Sequence, residues 1–266
     1  MLAIDTISGR ITDSATGQPL SYVNIGITAT GTGTVSDDSG AYHLSVSDSA
    51  HVVTFSYLGY ATVHIKCARL LEQGDVQLSA TNHKLQTVEI NASRLESKPV
   101  VLGVRHKNGR GHSIAYSSVQ LGAEIGAAIS VKRPTYIQSA NFVINHAQGD
   151  SMCFRVHLYS WIDGEVGENL LRENIYIKEK QKRGLLTVSL AEYNIVVEDD
   201  VLLSLEWLED VNGLRNQEIT FDTKKSRKLG GAYIKQYSNG GFERIRHIGS
   251  RKPCFYLVGK QIPQNK

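Results

Sequence analysis

The chain has 266 residues, of which 41% are hydrophobic and 21% charged, with a formal net charge of +3. This composition is typical of a globular protein that can bury real cores, and the length favours two domains. It excludes a membrane-spanning helix, because no run of about 18 apolar residues is present. The start of the chain has neither the basic region nor the apolar stretch of a signal peptide, so a signal peptide was either removed or never present. Residues 1–5 are treated as a short leader.

The basic excess lies after residue 90, mainly in three short runs, Lys178–Arg183, Lys224–Lys228 and Arg244–His247. Such runs attract nucleic acid when they form one continuous patch. Here acidic residues such as Glu179 interrupt them, which is more typical of solvated turns. We therefore expect no nucleic-acid partner.

Three cysteines, Cys67, Cys153 and Cys254, are far apart in the sequence, and no C-x-x-C pair is present. This spacing indicates neither a zinc ribbon nor a thioredoxin-type site. Isolated thiols of this kind usually pack as small hydrophobic side chains. A disulfide between Cys153 and Cys254 stays open, because both lie in strand-like runs.

In the first block of the chain, residues 6–90, strand-like alternation recurs about every ten residues, and helical periodicity is nearly absent. A polar Asp-Asp-Ser-Gly cluster at residues 37–40 separates two β-prone runs. A calcium loop would need further oxygen ligands and a closing Glu, which the following residues do not supply. The cluster is therefore predicted to be a hairpin turn, with Gly40 at positive φ.

The motifs of the first block resemble the carboxypeptidase-regulatory-like domain, a small transthyretin-like Greek-key β-sandwich. The matching positions are Gly9, Asp13, Thr16, Gly17, Pro19, Leu20, Val23, Asn24, Gly33, Thr34, Asp37, Gly40, Tyr42, Tyr57, Gly59 and Tyr60. The resemblance implies a bacterial envelope protein, because this module often begins TonB-dependent receptors. Residues Leu85–Arg94 look like the connecting motif that follows it there. The remaining residues, about 170, are too few for such a receptor, so a different C-terminal domain is expected.

Residues 91–112 mix charged residues with Gly and Pro and are predicted to be a linker. The block that follows is also β-rich, with turns at Asp163-Gly164 and Asn239-Gly240. We therefore predict an all-β protein of two β-sandwich domains. The N-terminal one is a transthyretin-like Greek key at residues 6–90, and the C-terminal one is jelly-roll-like at residues 113–262, with a tail at 263–266.

Alternation in one C-terminal strand separates an apolar face from a polar and aromatic face. Phe154, Val156 and Leu158 lie on the first. If the second face is exposed, it offers a stacking platform for a glycan or a peptide. The alternative is that its aromatic residues are buried. The candidate ligand-binding residues are Arg155, His157, Tyr159 and Trp161 on this second face, extended by Tyr233 and Tyr237 of a neighbouring hairpin.

No motif for catalysis is present. The sequence lacks H-E-x-x-H and G-x-S-x-G, and no His has a Glu at the third position after it. His106 and His112 have no third ligand nearby, so no metal and no cofactor are expected. The sequence thus favours a non-enzymatic, extracytoplasmic binding or scaffolding protein, in the periplasm or associated with the outer membrane. Its partner would be a glycan or an envelope protein, and the alternative is a hydrolase with an unrecognised C-terminal site.

Overall fold

The computed structural model describes residues 5–81, 95–96, 98–105, 113–116, 121–147, 152–180, 183–208, 219–226, 231–246 and 248–263. In these residues β-strands dominate, with one α-helix and one short 3-10 helix, so the predicted all-β class is confirmed. No helix in these ranges is long and apolar enough to cross a membrane. The predicted connecting motif Leu85–Arg94 and both histidines of the predicted linker, His106 and His112, lie outside the described residues.

The N-terminal unit contains two small sheets. Its elements are β1 (Asp5–Asp13), β2 (Asn24–Ile27), β3 (Thr32–Val35), β4 (Ala41–Val46), β5 (Val52–Ser56), β6 (Val63–Lys66), α1 (Cys67–Glu72) and β7 (Val76–Leu78). One sheet has the order β4-β1-β7 and the other β3-β2-β5-β6. The helix α1 was not predicted; it follows β6 directly and buries Cys67 and Leu70. The two sheets enclose a core that includes Ile11, Ile25 and Phe55.

The polar cluster at residues 37–40 is a turn that changes sheet. Asp37 Oδ1 accepts hydrogen bonds from the backbone N–H groups of Ser39 and Ala41, at 2.8 and 2.9 Å. Gly40 has a φ of 80°, as predicted. The prediction of a hairpin is wrong, however, because β3 and β4 belong to different sheets. The carbonyl of Gly40 instead accepts a hydrogen bond from the backbone N–H of Ile11 in β1. The chain therefore enters the sheet β4-β1-β7 immediately after the turn.

The C-terminal unit consists of the remaining strands and the 3-10 helix Ala191–Tyr193. The strands are β8 (Val100–Gly103), β9 (Ser113–Tyr116), β10 (Glu124–Ile129), β11 (Thr135–Ala147), β12 (Met152–Ile162), β13 (Glu165–Asn169), β14 (Ile175–Glu179), β15 (Gly184–Ser189), β16 (Val196–Val197), β17 (Val201–Trp207), β18 (Ile219–Lys225), β19 (Ala232–Lys235), β20 (Glu243–Arg244), β21 (Arg251–Pro253) and β22 (Phe255–Gln261). Strand β8 falls in the predicted linker but pairs with β22. The domain bounds otherwise stay a prediction.

Two sheets form this C-terminal sandwich. The first has the order β13-β12-β17-β10-β19-β20, and β14 also pairs with β12. The second has the order β21-β18-β11-β22-β8; in addition β9 pairs with β18, and β15 and β16 pair with β11. Between them lies the largest hydrophobic core of the described chain, which includes Phe142, Phe154 and Phe255. The predicted turn residues Asp163 and Gly164 have φ of 52° and 90° and connect β12 to β13.

The disulfide between Cys153 and Cys254 that the sequence left open is not formed. Cys153 and Cys254 are both free and buried. They belong to separate hydrophobic clusters, since Cys153 packs with Tyr22 and Leu208 and Cys254 with Val143 and Tyr256. Both thiols therefore behave as small core side chains, and burial raises the pKa of Cys254 to about 12.

Candidate functional site

A buried charge cluster lies on the first C-terminal sheet, on the face that points away from the sandwich core. Strand alternation places its members there, because their neighbours in sequence fill the core. Register then brings them side by side: Arg155 is opposite Glu206, and Glu124 is opposite both Glu206 and Lys235. The charge cluster consists of Glu124, Arg155, His157, Glu206 and Lys235, all of them buried.

The centre of the charge cluster is the ion pair between Arg155 and Glu206. Arg155 Nε donates to Glu206 Oε2 at 2.7 Å, and His157 Nε2 donates to the same oxygen at 2.6 Å. Burial by itself would raise the pKa of Glu206. The Arg155 guanidinium and the hydrogen bond from His157 outweigh burial and hold that pKa well below its usual range. Glu206 is therefore ionised, and Arg155 is its counterion.

The hydrogen bonds of His157 define its tautomer. Asn169 Oδ1 accepts from the backbone N–H of Leu171 at 3.1 Å, which orients the amide so that its Nδ2 faces His157 Nδ1 at 2.9 Å. Nδ1 is therefore an acceptor, and the ring proton sits on Nε2, where it is donated to Glu206. His157 thus holds Glu206 without having to carry a charge.

The second carboxylate, Glu124, has its own set of partners. It forms an ion pair with Lys235, accepts from Ser204 Oγ at 2.6 Å, and accepts from the Tyr159 hydroxyl at 3.1 Å. Burial raises the pKa of Tyr159 well above its usual value, and the Glu124 carboxylate adds to the rise. Tyr159 therefore stays protonated and donates. The two carboxylates are balanced by Arg155 and Lys235.

Glu124, His157 and Glu206 also have the donor types of a metal site. One ligand atom from each lies within 4.8 Å of the others, and a His with two carboxylates is a familiar zinc ligand set. His157 Nε2 carries the ring proton, however, and Glu124 and Glu206 are each paired with a cation, although Glu206 Oε1 has no hydrogen-bond partner among the described residues. A divalent ion would have to displace Arg155 and Lys235 from a buried site. We therefore assign the charge cluster to structure rather than to metal binding.

The N-terminal unit covers this polar face. Arg155 Nη1 donates to the backbone carbonyl of Tyr22 at 2.9 Å, so one guanidinium joins the two units. The Tyr22 ring also packs against Tyr176, with ring centroids 5.2 Å apart. Tyr176 lies at the outer side of this contact and bonds the Tyr57 hydroxyl at 3.0 Å. These contacts explain why charged side chains on an outward sheet face are not exposed.

A loop of the C-terminal unit, Tyr237–Gly240, completes the covering. Ser238 Oγ donates to Asn24 Oδ1 at 2.7 Å, and Asn239 Nδ2 donates to the carbonyl of Thr54 at 2.8 Å. The approach is backbone to backbone at Gly26, where an added Cβ would lie 2.1 Å from the carbonyl oxygen of Ser238. We call the contacts of Arg155, Tyr176, Ser238 and Asn239 with residues 22–57 the domain seam.

The six residues predicted to bind a ligand are divided among three places, and most of them are buried. Arg155 and His157 belong to the charge cluster, and the half-buried Tyr159 bonds to it. Trp161 and Tyr233, 6% and 9% exposed, pack edge to face with ring centroids 4.7 Å apart. Tyr237 is half-buried and lies against Gly31 of the N-terminal unit. A ligand face required this side of β12 to be exposed to solvent, and most of it is buried.

Sequence reasoning missed three members of the charge cluster, Glu124, Glu206 and Lys235. Alternation in β17 places Glu206 on the face opposite Leu205 and Trp207, but nothing in the residue pattern indicates that this face is covered. Glu124 begins a strand in which every residue is buried. A single Glu at the head of the otherwise small and apolar run EIGAAI was the one available signal.

Residues 7–92 match the family model of the CarboxypepD_reg-like domain. The N-terminal unit is a CarboxypepD_reg-like domain. This confirms the resemblance inferred from the motifs. The chain is also 29% identical over 145 residues to TonB-dependent receptor P3 of Formosa agariphila, a match that spans 47% of this chain and only 14% of the receptor.

Solved structures give a weaker likeness. The cysteine protease and lectin-like domains of Cwp84, a surface-layer-associated protein of Clostridium difficile, are 10% identical with a TM-score of 0.43. The match covers 86% of this chain and 46% of that one. A structure of the same clostridial protease after propeptide cleavage is 11% identical with a TM-score of 0.45, over 96% and 70% of the two chains. Similarity at this level carries no argument about activity.

Replacing Arg155 by Met should destabilise the protein by about 3–5 kcal/mol, because Glu206 is left as a buried, uncompensated charge. The acid response should also change. In the wild type the depressed pKa of Glu206 contributes stability above the pKa of an unfolded Glu, about 4.3, and this contribution is lost as pH falls further. Arg155→Met should flatten that loss. Denaturant unfolding between pH 7 and pH 3 measures both effects.

The matched control for this substitution is Arg133→Met. Arg133 pairs with Glu96 at 2.7 Å, but both side chains are 38% exposed, so the change should cost no more than about 1 kcal/mol. Equal costs for the two substitutions would contradict the central role given to Arg155.

Replacing Trp161 by Ala should cost about 3–5 kcal/mol of folding stability, as expected for truncation of a buried aromatic side chain. Its neighbour Ile162 is 62% exposed, so Ile162→Ala should stay within about 0.5 kcal/mol of the wild type. Chemical denaturation of both variants makes the comparison. A small effect of Trp161→Ala would mean that this side chain is not part of the core.

Proposed function

We propose that the protein is a non-enzymatic binding or scaffolding component of a bacterial cell envelope, located in the periplasm or at the outer membrane. The CarboxypepD_reg-like domain is a non-catalytic module, and a TonB-dependent receptor shares sequence with this chain. Both findings support an extracytoplasmic role. The chain covers a small part of that receptor, so transport is not proposed.

The observation that carries the proposal is the domain seam. The N-terminal unit presents backbone carbonyls, those of Tyr22 and Thr54, to side chains of the C-terminal unit. These bonds are buried or partly buried, and they hold one unit in a defined orientation on the other. An adaptor needs a fixed orientation, because the position of its anchored end must determine the position of the second domain. We infer that the N-terminal unit is a rigid adaptor.

The C-terminal sandwich would carry the specificity for a glycan or a peptide. With Trp161 and Tyr233 in the interior, the ligand must use other aromatic side chains. Tyr176 is 36% exposed at the edge of the domain seam, and its hydroxyl bonds that of Tyr57. A partly exposed ring with a fixed hydroxyl group offers both stacking and hydrogen bonding. We propose Tyr176 as the aromatic contact.

Glycan and peptide arrays probed with the whole chain test this proposal. Saturable binding to one ligand class is expected, and Tyr176→Ala should weaken it by about 1–3 kcal/mol, the range of an interface anchor. Leu185→Ala is the control, because Leu185 is 46% exposed on a different strand and should leave binding unchanged. Equal loss in both variants, or binding to no ligand on either array, would contradict the assignment.

The same preparation separates a binding protein from a hydrolase. A panel of peptidase and glycosidase substrates should show no turnover above that of a heat-denatured sample, and metal analysis should find no stoichiometric zinc. Turnover, or one equivalent of zinc, would overturn the non-enzymatic proposal and favour the hydrolase alternative.

A further inference from the structure

A cavity of about 490 Å³ lies between the two sheets of the C-terminal sandwich, at the edge closed by strand β8. Most of its wall is apolar and comes from β8, β10 and β22; it includes Val100, Leu102, Ile129 and Phe255. Its volume is within the range of small-molecule sites, about 300–1,000 Å³. None of its lining residues takes part in the domain seam or the charge cluster.

One buried cation lines this apolar cavity. Lys252, on strand β21, is 2% exposed, and its Nζ donates to the backbone carbonyl of Ala128 at 3.3 Å. No carboxylate of the described residues forms an ion pair with it. Arg155 and Lys235, the other fully buried cations discussed above, both have carboxylate partners. A buried charge is normally paired, because desolvation without a counterion is costly.

We propose that this cavity binds an aliphatic carboxylate, whose apolar chain fills the space between the sheets and whose carboxylate pairs with Lys252. The apolar wall selects the chain, and the single buried cation selects the charge. Exposed Lys132 lines the cavity as well and adds positive charge on the side open to solvent. The site does not depend on the envelope role proposed above.

The electrostatics around Lys252 agree with this assignment. Burial, and to a smaller extent the positive charge of Arg244, lower the pKa of Lys252 to about 8, while Asp200 opposes the shift. Asp200 forms no ion pair with Lys252 among the described residues; its Oδ1 accepts a hydrogen bond from the backbone N–H of Val131 at 2.8 Å. Lys224, directly opposite Lys252 on the neighbouring strand, is a further cation. Lys224 is exposed to solvent, so an anion in the cavity would pair with Lys252.

Chain length provides the first test. Calorimetric titration of the whole protein at pH 7 with butanoate, hexanoate, octanoate and decanoate should show affinity that rises by up to about fourfold per added methylene, until the cavity is full. Octanol and octylamine, which have the same chain without the negative charge, should bind at least about tenfold more weakly than octanoate. Octanoate binding should also weaken as pH rises through about 8, where Lys252 loses its proton, and should take up protons near that pH.

Two lysine variants provide the second test. Lys252→Met should weaken octanoate binding at least about tenfold, while the fold is kept or stabilised, because the change removes an unpaired buried charge. Lys224→Met, the same change at an exposed position on the neighbouring strand, should have little effect. The proposal is overturned if octanoate and decanoate fail to bind at millimolar concentration, if octanol binds as well as octanoate, or if Lys252→Met binds like the wild type. A failure of the glycan and peptide arrays would leave each of these results unaffected.

Discussion

The ion pair between Arg155 and Glu206 is the interaction on which the arrangement of the two units depends. It lies on a sheet face that points away from the sandwich core, and both side chains are at most 1% exposed. Removing two charges from water is costly, and the cost falls when their remaining hydrogen-bonding groups find partners. The N-terminal unit covers the pair, and the carbonyl of Tyr22 accepts one hydrogen bond from Arg155. Arg155 Nη2 and Glu206 Oε1 are buried without a partner among the described residues, so the domain seam satisfies the charge pair only in part.

Much of the fold could be predicted because local physical chemistry decides it. Strand alternation gave the β-strands, and the φ of Gly40, Asp163 and Gly164 followed from their residue types. The sheet change after β3 could not be predicted, because a turn sequence does not say with which strand the next segment will pair. Helix α1 was missed for a similar reason: six residues are too few for a helical pattern to stand out.

The candidate site could be predicted only in part. Strand alternation assigned Arg155, His157 and Trp161 to one face, and the structure agrees. Alternation gives no information about what covers that face. In β12 both faces are buried, one by the sandwich core and one by neighbouring elements and the N-terminal unit. The partners Glu124 and Lys235 come from strands distant in sequence. Their positions depend on sheet order, which the residue pattern does not contain.

The buried cations of the C-terminal unit fall into two classes with different consequences. Arg155 and Lys235 are neutralised by carboxylates, so they stabilise a fixed arrangement and have little capacity left for a ligand. Lys252 has only a carbonyl partner among the described residues and lies in an apolar cavity. The first class lies at the contact with the CarboxypepD_reg-like domain, and the second is the basis of the proposed carboxylate site.

The rigid domain seam is the central claim, and a distance measurement between the two units tests it most directly. Spin labels at Leu71→Cys and Ile162→Cys, both exposed and one in each unit, suit double electron–electron resonance, since the native cysteines are buried. The wild-type seam predicts one narrow distance distribution. Gly26→Ala should broaden or shift it, because the new Cβ would lie 2.1 Å from the carbonyl oxygen of Ser238. A broad distribution before any seam substitution, or an unchanged narrow one with Gly26→Ala, would contradict the account.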